Sequence, residues 1–408
     1  MMNNKSPEIR FKGFTDDWEQ RKLGEITTYR NGGSFENDVV NQGKYELVTL
    51  KSVDVEGNLK ESGKFINIEV ENLKSGTIVM ILSEQAPGLL GKTTVIPRND
   101  YYVLNQRVAA LIPQKSTESF FLSQAINRNG KYFSMRGAGT KVQNISKPNV
   151  ENFQMFVPTY DEQCQIGTFF KQLDNTIALH QDAIQHQKDL KKALLQKFFP
   201  VNGARIPTVR FANFKEEWEQ RKLGALAESF NYGLNASAME FDGENKYIRI
   251  TDIDEESHRF IQSGLTSPNT DLSNADDYLL KEGDILFART GASVGKSYQY
   301  EPLDGKVYYA GFLIRARIKP EFDSSYIFQS TLTEKYKNFI KISSQRSGQP
   351  GVNAQEYASF SVSVPSRAEQ EKIGTFFKQL DDTITLHQDA IHKFQLLKQS
   401  LLQKMFVN

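Results

Sequence analysis

Residues 291–297, GASVGKS, set a glycine-rich turn ahead of a lysine and a hydroxyl, the groups that cradle a nucleotide phosphate. A P-loop places four residues between its glycines, whereas this segment has only Ala292, Ser293 and Val294. The counterpart at 88–93, GLLGKT, has two, so a turn between strands is the better account of both. Four of the five histidines, His180, His186, His387 and His392, could offer imidazole to a metal. They lie in two long helical stretches with no further ligands spaced to converge on them, and polar breaks that fix helix register explain them more simply. Glu244-Asn-Lys246 resembles the end of a nuclease carboxylate–lysine motif, but no Pro-Asp pair precedes it and the other half of the chain has no match. No Pro-Pro dipeptide occurs, which removes the Asn/Asp-Pro-Pro-aromatic loop of amino-methyltransferases. With no catalytic constellation, the chain reads as one that binds.

What positions any binding residue is an internal repeat. Residues 7–26 return as 207–226, each copy carrying WEQRKLG from Trp18 and Trp218, and residues 157–199 return as 364–406. Between these near-identical frames lie two diverged regions, 27–156 and 227–363, so one scaffold presents two different faces. The second repeated segment is helical in pattern. Thr159 with Glu162, and Ser366 with Glu369, have the spacing of capping boxes just after a proline. Only Gly167 and Gly374 interrupt the stretches that follow, which predicts helices of roughly 35 to 40 residues, ~55 Å long at 1.5 Å per residue.

Along the first helix Ile166, Phe170, Leu173, Ile177, His180 and Ile184 alternate four and three apart, and along the second Ile373, Phe377, Leu380, Ile384, His387 and Ile391 do the same. Each set is a heptad seam with polar breaks, so the helices should pair. Phe169, Leu179, Leu190 and Leu195, with Phe376, Leu386 and Leu397, lie off the seam and widen the apolar surface beyond what one partner helix covers. That surplus faces either a docked partner or the chain's own globular regions. The diverged regions carry short β-rich runs at 45–50, 77–82, 247–253, 284–288 and 312–318 separated by turn residues, a mixed α/β pattern. They repeat each other faintly, Gly91-Lys92-Thr93 paralleling Gly295-Lys296-Ser297. Trp18 and Trp218 sit at equivalent frame positions and are expected in the core.

At 408 residues with 39% hydrophobic content, the chain can form two to four globular domains. The net charge of +1 excludes a protein that grips nucleic acid by bulk electrostatics, so DNA binding would rest on local patches or partners. Cys164 is the single cysteine, ruling out an intrachain disulfide, and no apolar run approaches the ~20 residues of a membrane span. A cytoplasmic location with no membrane contact is expected.

The repeated WEQRKLG, Tyr247-Ile-Arg249-Ile-Thr-Asp252, the run from Gly283 to Gly291 (GDILFARTG) with Val294-Gly-Lys296, Ser347-Gly-Gln-Pro350, and Pro365 followed by Glu369-Gln370 resemble, in this order and across the whole chain, the specificity subunits of type I restriction-modification systems. The first region departs from the pattern at 82–90. The resemblance implies an α+β fold in which two mixed α/β target recognition domains are joined by two long antiparallel paired helices in a pseudo-twofold tandem repeat. It implies boundaries at 1–158, 159–202, 203–365 and 366–408, covering recognition domain, spacer helix with linker, recognition domain and spacer helix. It further implies a non-catalytic subunit that reads double-stranded DNA at an asymmetric bipartite site, with half-sites about one turn (~34 Å) apart. Two methyltransferase subunits would dock on the helices, and restriction subunits would join through them. No cofactor is expected in this chain; S-adenosylmethionine, ATP and Mg²⁺ would serve the partners.

On that reading the candidate DNA contacts of the first region are Lys92, Thr93, Arg136, Lys141, Gln143 and Asn144. Those of the second are Arg249, Arg289, Thr290, Ser293 and Lys296, with Arg346, Gln349 and Asn353 in a further loop. Arginine reads guanine and Asn or Gln reads adenine, while lysines mostly hold phosphates. A coiled-coil scaffold that binds proteins without reading DNA is the alternative from another class.

Overall fold

A computed structural model describes residues 5–84, 88–201, 203–345 and 348–407. The chain divides into two compact units, Met1–Gln181 with Asp389–Asn408, and Asp182–Gln388. Each unit thus owns one diverged region and a length of both long helices.

The repeated WEQRKLG builds the same corner in each unit. In the first, Trp18 is buried and followed by an exposed strand, Glu19–Lys22, paired antiparallel with Gln154–Val157; a helical turn, Leu23–Ile26, then sends two apolar residues back into the core. In the second unit Trp218, Glu219–Lys222, Ser361–Val364 and Leu223–Leu226 repeat this in matching register. Trp18 meets Phe121 and Phe406 edge-on, and Trp218 meets Tyr326 and Phe199 likewise, so both tryptophans are core, as expected.

A four-stranded antiparallel sheet follows in each unit. Its order is Thr27–Asn31, Val108–Pro113, Ile78–Ile81, Thr93–Val95 in the first and Ala227–Tyr232, Leu313–Ile318, Asp284–Ala288, Ser297–Gln299 in the second. The central strands are mostly apolar because both faces are covered, with Asp284, Arg315 and Arg317 as the charged exceptions in the second unit. Ile78 and Met80 enter the core that holds Trp18, while Val79 and Ile81 enter a second core on the opposite face. Ile285 and Phe287 against Leu286 and Ala288 divide in the same way. Beside each sheet lies a parallel pair, Tyr45–Val48 with Tyr102–Leu104, and Lys246–Ile248 with Val307–Tyr309. The expected strand over 247–253 is therefore shorter. Asp252 accepts the backbone N–H of Arg249 at 2.9 Å and turns the chain into a 3₁₀ segment, Ile250–Asp252.

The long helices run Tyr160–Phe198 and Arg367–Lys404. Within the first unit Phe170 approaches Phe406, Asp174 bonds Lys398 and His180 faces Phe394; within the second Lys191 bonds Asp381 and Phe198 meets Phe377, so the pairing is antiparallel in both. The twelve expected seam residues are all buried or half-buried. Of the off-seam set, Phe169, Phe376 and Leu195 pack on the globular cores, whereas Leu179 and Leu386, equivalent in the repeat, are each 69% exposed. The chain's own globular regions thus take up part of the surplus apolar surface and leave Leu179 and Leu386 outside them.

The expected capping boxes are replaced by a longer-range device. Glu162 is fully buried with both oxygens taken by Arg10, at 2.7 and 2.8 Å, and Glu369 takes Arg210 with the same geometry. The carboxylates tie the helix starts to the preceding repeat segment. Gly167 and Gly374 are equally purposeful: a Cβ at either would strike the carboxylate of Glu118 or Asp323, which caps the short helix Ser119–Asn127 or Ser324–Ser330. No helix among the described residues is long and apolar enough to cross a membrane.

Candidate nucleic-acid interface

Hydrogen-bond register superposes the two units residue by residue at the strand ends. In the second, Ala288 ends its strand opposite Leu313, and the GASVGKS segment forms the turn to Ser297–Gln299, as the spacing of its glycines predicts. Arg289 follows, its N–H donating to Phe312 O at 3.1 Å and its carbonyl accepting from Val352 N at 2.9 Å. Thr290 bridges Gly351, and Gly291 N donates to Pro350 O. The loop around 289–293 and the loop containing Gln349 are thereby brought side by side, as two candidates on one edge. Arg346 lies outside the described residues.

The candidates in the second unit differ in what their side chains already hold. Lys296 is buried, with Nζ 3.0 Å from Ile253 O and 2.6 Å from Glu255, so its charge is committed within the protein. Arg249 gives a bidentate pair to Asp252, which holds its guanidinium firmly protonated, with the hydrogen bonds dominating over the opposing effect of burial. Asn353 accepts Glu356 N at 2.9 Å as the N-cap of Ala354–Ala358. Ser293 makes a long 3.4 Å contact to Glu255. Gln349 is exposed. Arg289 lies over the rings of Tyr232 and Phe312, at 5.1 and 5.8 Å, on the wall of a cleft of about 600 Å³ that Arg249 also lines.

In the first unit Ile81 ends its strand opposite Val108, so Leu82 occupies the place of Arg289; its N–H donates to Arg107 O and its carbonyl accepts from Ile145 N. Ser83–Glu84 then pairs with Gln143–Asn144, placing both amides on the exposed edge, with Asn144 Oδ1 held by Ser83 at 2.7 Å. Lys141 is exposed nearby, and Arg136 stacks on Tyr132 at 3.7 Å. Thr93 departs from expectation. It is completely buried, its hydroxyl bonded to Ser123 and Asn127, because the residue after the turn lysine begins a sheet strand packed on a helix. Lys92 is half-buried over Asn127 O at 3.4 Å, and burial lowers its pKa.

Four residues at this edge were not among the candidates from the sequence. Arg107, exposed and at positive φ, stands in the first unit where Phe312 stands in the second, and Asn31 stands where Tyr232 stands. The available signal was an arginine directly ahead of the run 108–113 and an exposed aromatic ahead of 313–318.

The fold is similar to that of solved structures. A crystal structure of the type I restriction-modification system S subunit from M. genitalium is similar over 99% of both chains at a TM-score of 0.69 and 16% identity. A structure from work on complex assembly and conformational transition of the type I R-M system is similar over 95% of this chain and 97% of that one, at a TM-score of 0.51 and 14% identity. The fold is therefore that of a type I specificity subunit, a duplicated α+β frame on paired antiparallel helices. Residues 15–187 and 215–394 each match the family described as type I restriction modification DNA specificity domain, and the chain belongs to that family. It is also 24% identical over 198 residues to the type I restriction enzyme HindI specificity subunit of Haemophilus influenzae, a match spanning 47% of this chain and 41% of that relative's length.

Proposed function

We propose that this chain supplies DNA sequence specificity to a type I restriction-modification complex and catalyses nothing itself. Each diverged region reads one half of an asymmetric bipartite site in double-stranded DNA. The helices set the half-site spacing and dock two methyltransferase subunits, through which restriction subunits join. S-adenosylmethionine, ATP and Mg²⁺ serve those partners, and the complex works in the cytoplasm.

One observation carries this reading: two edges of identical backbone register bear different side chains, Leu82, Arg107, Gln143 and Asn144 against Arg289, Phe312, Thr290 and Gln349. A frame kept constant while its edge varies is what reading two unlike half-sites requires, because base contacts specify while the shared frame only positions. Exposed Leu179 and Leu386, placed equivalently on the two helices, suit a pair of identical partners. The near-zero net charge fits a subunit whose partners provide much of the phosphate grip.

Mapping methylated adenines in a host that expresses the chain with its neighbouring methyltransferase subunit, against the same host lacking the chain, tests this. A split asymmetric motif appearing only with the chain is expected. A stable complex that produces no new motif would favour the protein-scaffold reading instead.

A further inference from the structure

We propose that Arg289 is the base-reading residue of the second region and that the base it reads is guanine. This rests on the DNA-reading function above and names a determinant within it.

The position is fixed before any ligand arrives. Arg289 is the first residue beyond the central strand Asp284–Ala288, and its backbone is clamped on both sides by Phe312 O and Val352 N. Its guanidinium rests against Tyr232 and Phe312, two large aromatic side chains that are themselves 43% and 61% exposed. Such stacking orients the plane of the group and limits its rotamers, yet satisfies none of its N–H donors.

The other arginines of this sheet and cleft have their acceptors. Arg317 is bidentate on Asp284, Arg249 is bidentate on Asp252, and Arg315, although its Nε is also buried without a partner, donates its terminal nitrogens to Asp277 O and Asn231. Arg289 has no side-chain hydrogen bond to any described residue, and its Nε is buried without a partner. A guanidinium held by ring stacking, with no acceptor from the described residues, keeps its terminal N–H donors available to a ligand in the cleft. The cleft beside it is walled by Tyr232, Gly233, Gly311 and Phe312, where the backbone comes close and leaves room for a planar edge.

The missing ligand must therefore supply acceptors only. Two parallel N–H groups match the adjacent O6 and N7 acceptors of guanine in the major groove. Adenine turns an N6 donor toward one of them, and cytosine presents an N4 donor there. A phosphate would also accept both bonds, but it carries no sequence information. Leu82 in the corresponding place leaves the first region without this reader on the same strand.

The test uses the complete chain assembled with its methyltransferase partner, acting on duplexes whose half-sites are randomised, with methylated adenines read by sequencing. Exchange of residues 227–363 identifies which half-site belongs to the second region. The expected result is an invariant guanine in that half, a roughly ten- to hundredfold loss of preference at that one position in Arg289→Ala, and an unchanged gap and remaining positions. Arg289→Lys, which keeps the charge and spares the fold, should retain methylation while weakening the guanine preference. The proposal fails if the half-site has no invariant guanine. It fails equally if both variants lower methylation evenly without altering any base preference, the signature of a phosphate contact. A wild-type complex that methylates no split motif would overturn this proposal together with the function it rests on.

Discussion

The strand end held by Leu82 in the first unit is held by Arg289 in the second, and the facing position is Arg107 in the first and Phe312 in the second. Arginine and apolar side chain have traded places across two neighbouring backbone segments whose hydrogen bonds are the same. A few residues away nothing has been traded. Arg10 and Glu162 match Arg210 and Glu369, Gln163 matches Gln370 in bonding the start of a short helix, and Lys398 with Asp174 matches Lys191 with Asp381. Duplication has preserved the bonds that set the backbone and released the side chains that leave it. Side chains at this edge can therefore diverge while the backbone is kept, because they are not the ones whose bonds set the sheet register.

The most severe way to break this comparison is to exchange residues 227–363 for the corresponding region of a relative, leaving both repeated frames intact. One half of the methylated motif should be replaced entirely while the other half and the gap persist. A change in both halves, or in the gap alone, would show that frame and edge are not separable.

The frame itself can be probed unit by unit, since each core holds one of the two tryptophans and Trp18→Phe or Trp218→Phe leaves a reporter for the other. Asp174 and Asp381 each bind a lysine of the other long helix, Lys398 or Lys191, and also accept from a glutamine of a short helix, Gln124 or Gln329. Removing either carboxylate strands a lysine that is only 14–15% exposed. Breaking a buried pair in this way costs ~3–5 kcal/mol, and partial solvent access puts these near the low end. Asp174→Ala and Asp381→Ala should lower the urea midpoint of their own unit by matching amounts; clearly unequal losses would deny the equivalence.

Smaller effects follow at Gly167 and Gly374. Alanine inside a helix ordinarily gains about 1 kcal/mol over glycine. Here the methyl meets a capping carboxylate, and overpacking costs ~1–3 kcal/mol, so both substitutions should destabilise on balance. A stabilised variant at either site would show that the short helix is free to shift away.

Much of this architecture was open to reading because it is periodic or repeated: the seam from Ile166 to Ile184, the turn at 291–297, the core tryptophans and the doubled frame. What was hidden depends on contacts distant in sequence. Glu162 has capping-box spacing, but its partner is Arg10, more than 150 residues earlier, and local spacing cannot report that. Lys92, Thr93 and Lys296 have the composition of phosphate-contacting loop residues, yet the sheet turns Thr93 and Lys296 inward and half-buries Lys92. Arg107 and Phe312 belong to the edge only through pairing with strands that precede them by 20 or more residues, so neither stood out from its neighbours. The edge was legible as composition, and its selection of individual side chains was set by register.

The finest distinction between the units concerns a carbonyl that each must satisfy. In the first, Asn127 donates to Thr93 O at 2.9 Å, and Gly57 at positive φ leaves it space. In the second, the residue at the corresponding turn position is His258, also at positive φ, and its ring performs the task, with Nδ1 2.9 Å from Ser297 O. A carbonyl only accepts, so Nδ1 carries a proton in this arrangement. Burial lowers the His258 pKa; Lys191 and Lys296 push the same way, against the Ser297 carbonyl and Asp381. Because the folded value lies below the ordinary 6.5, the unfolded chain binds this proton first as pH falls. The second unit should then lose stability as pH drops below about 6.5, with no contribution from this group above it. The first unit, with an amide in the same role, has no such term at this carbonyl. Asn tolerates positive φ better than most residues, so His258→Asn should fold and flatten the acid-side slope of the Trp218-reported transition. An unchanged slope in that variant would place the acid sensitivity elsewhere and leave the two units alike in this respect.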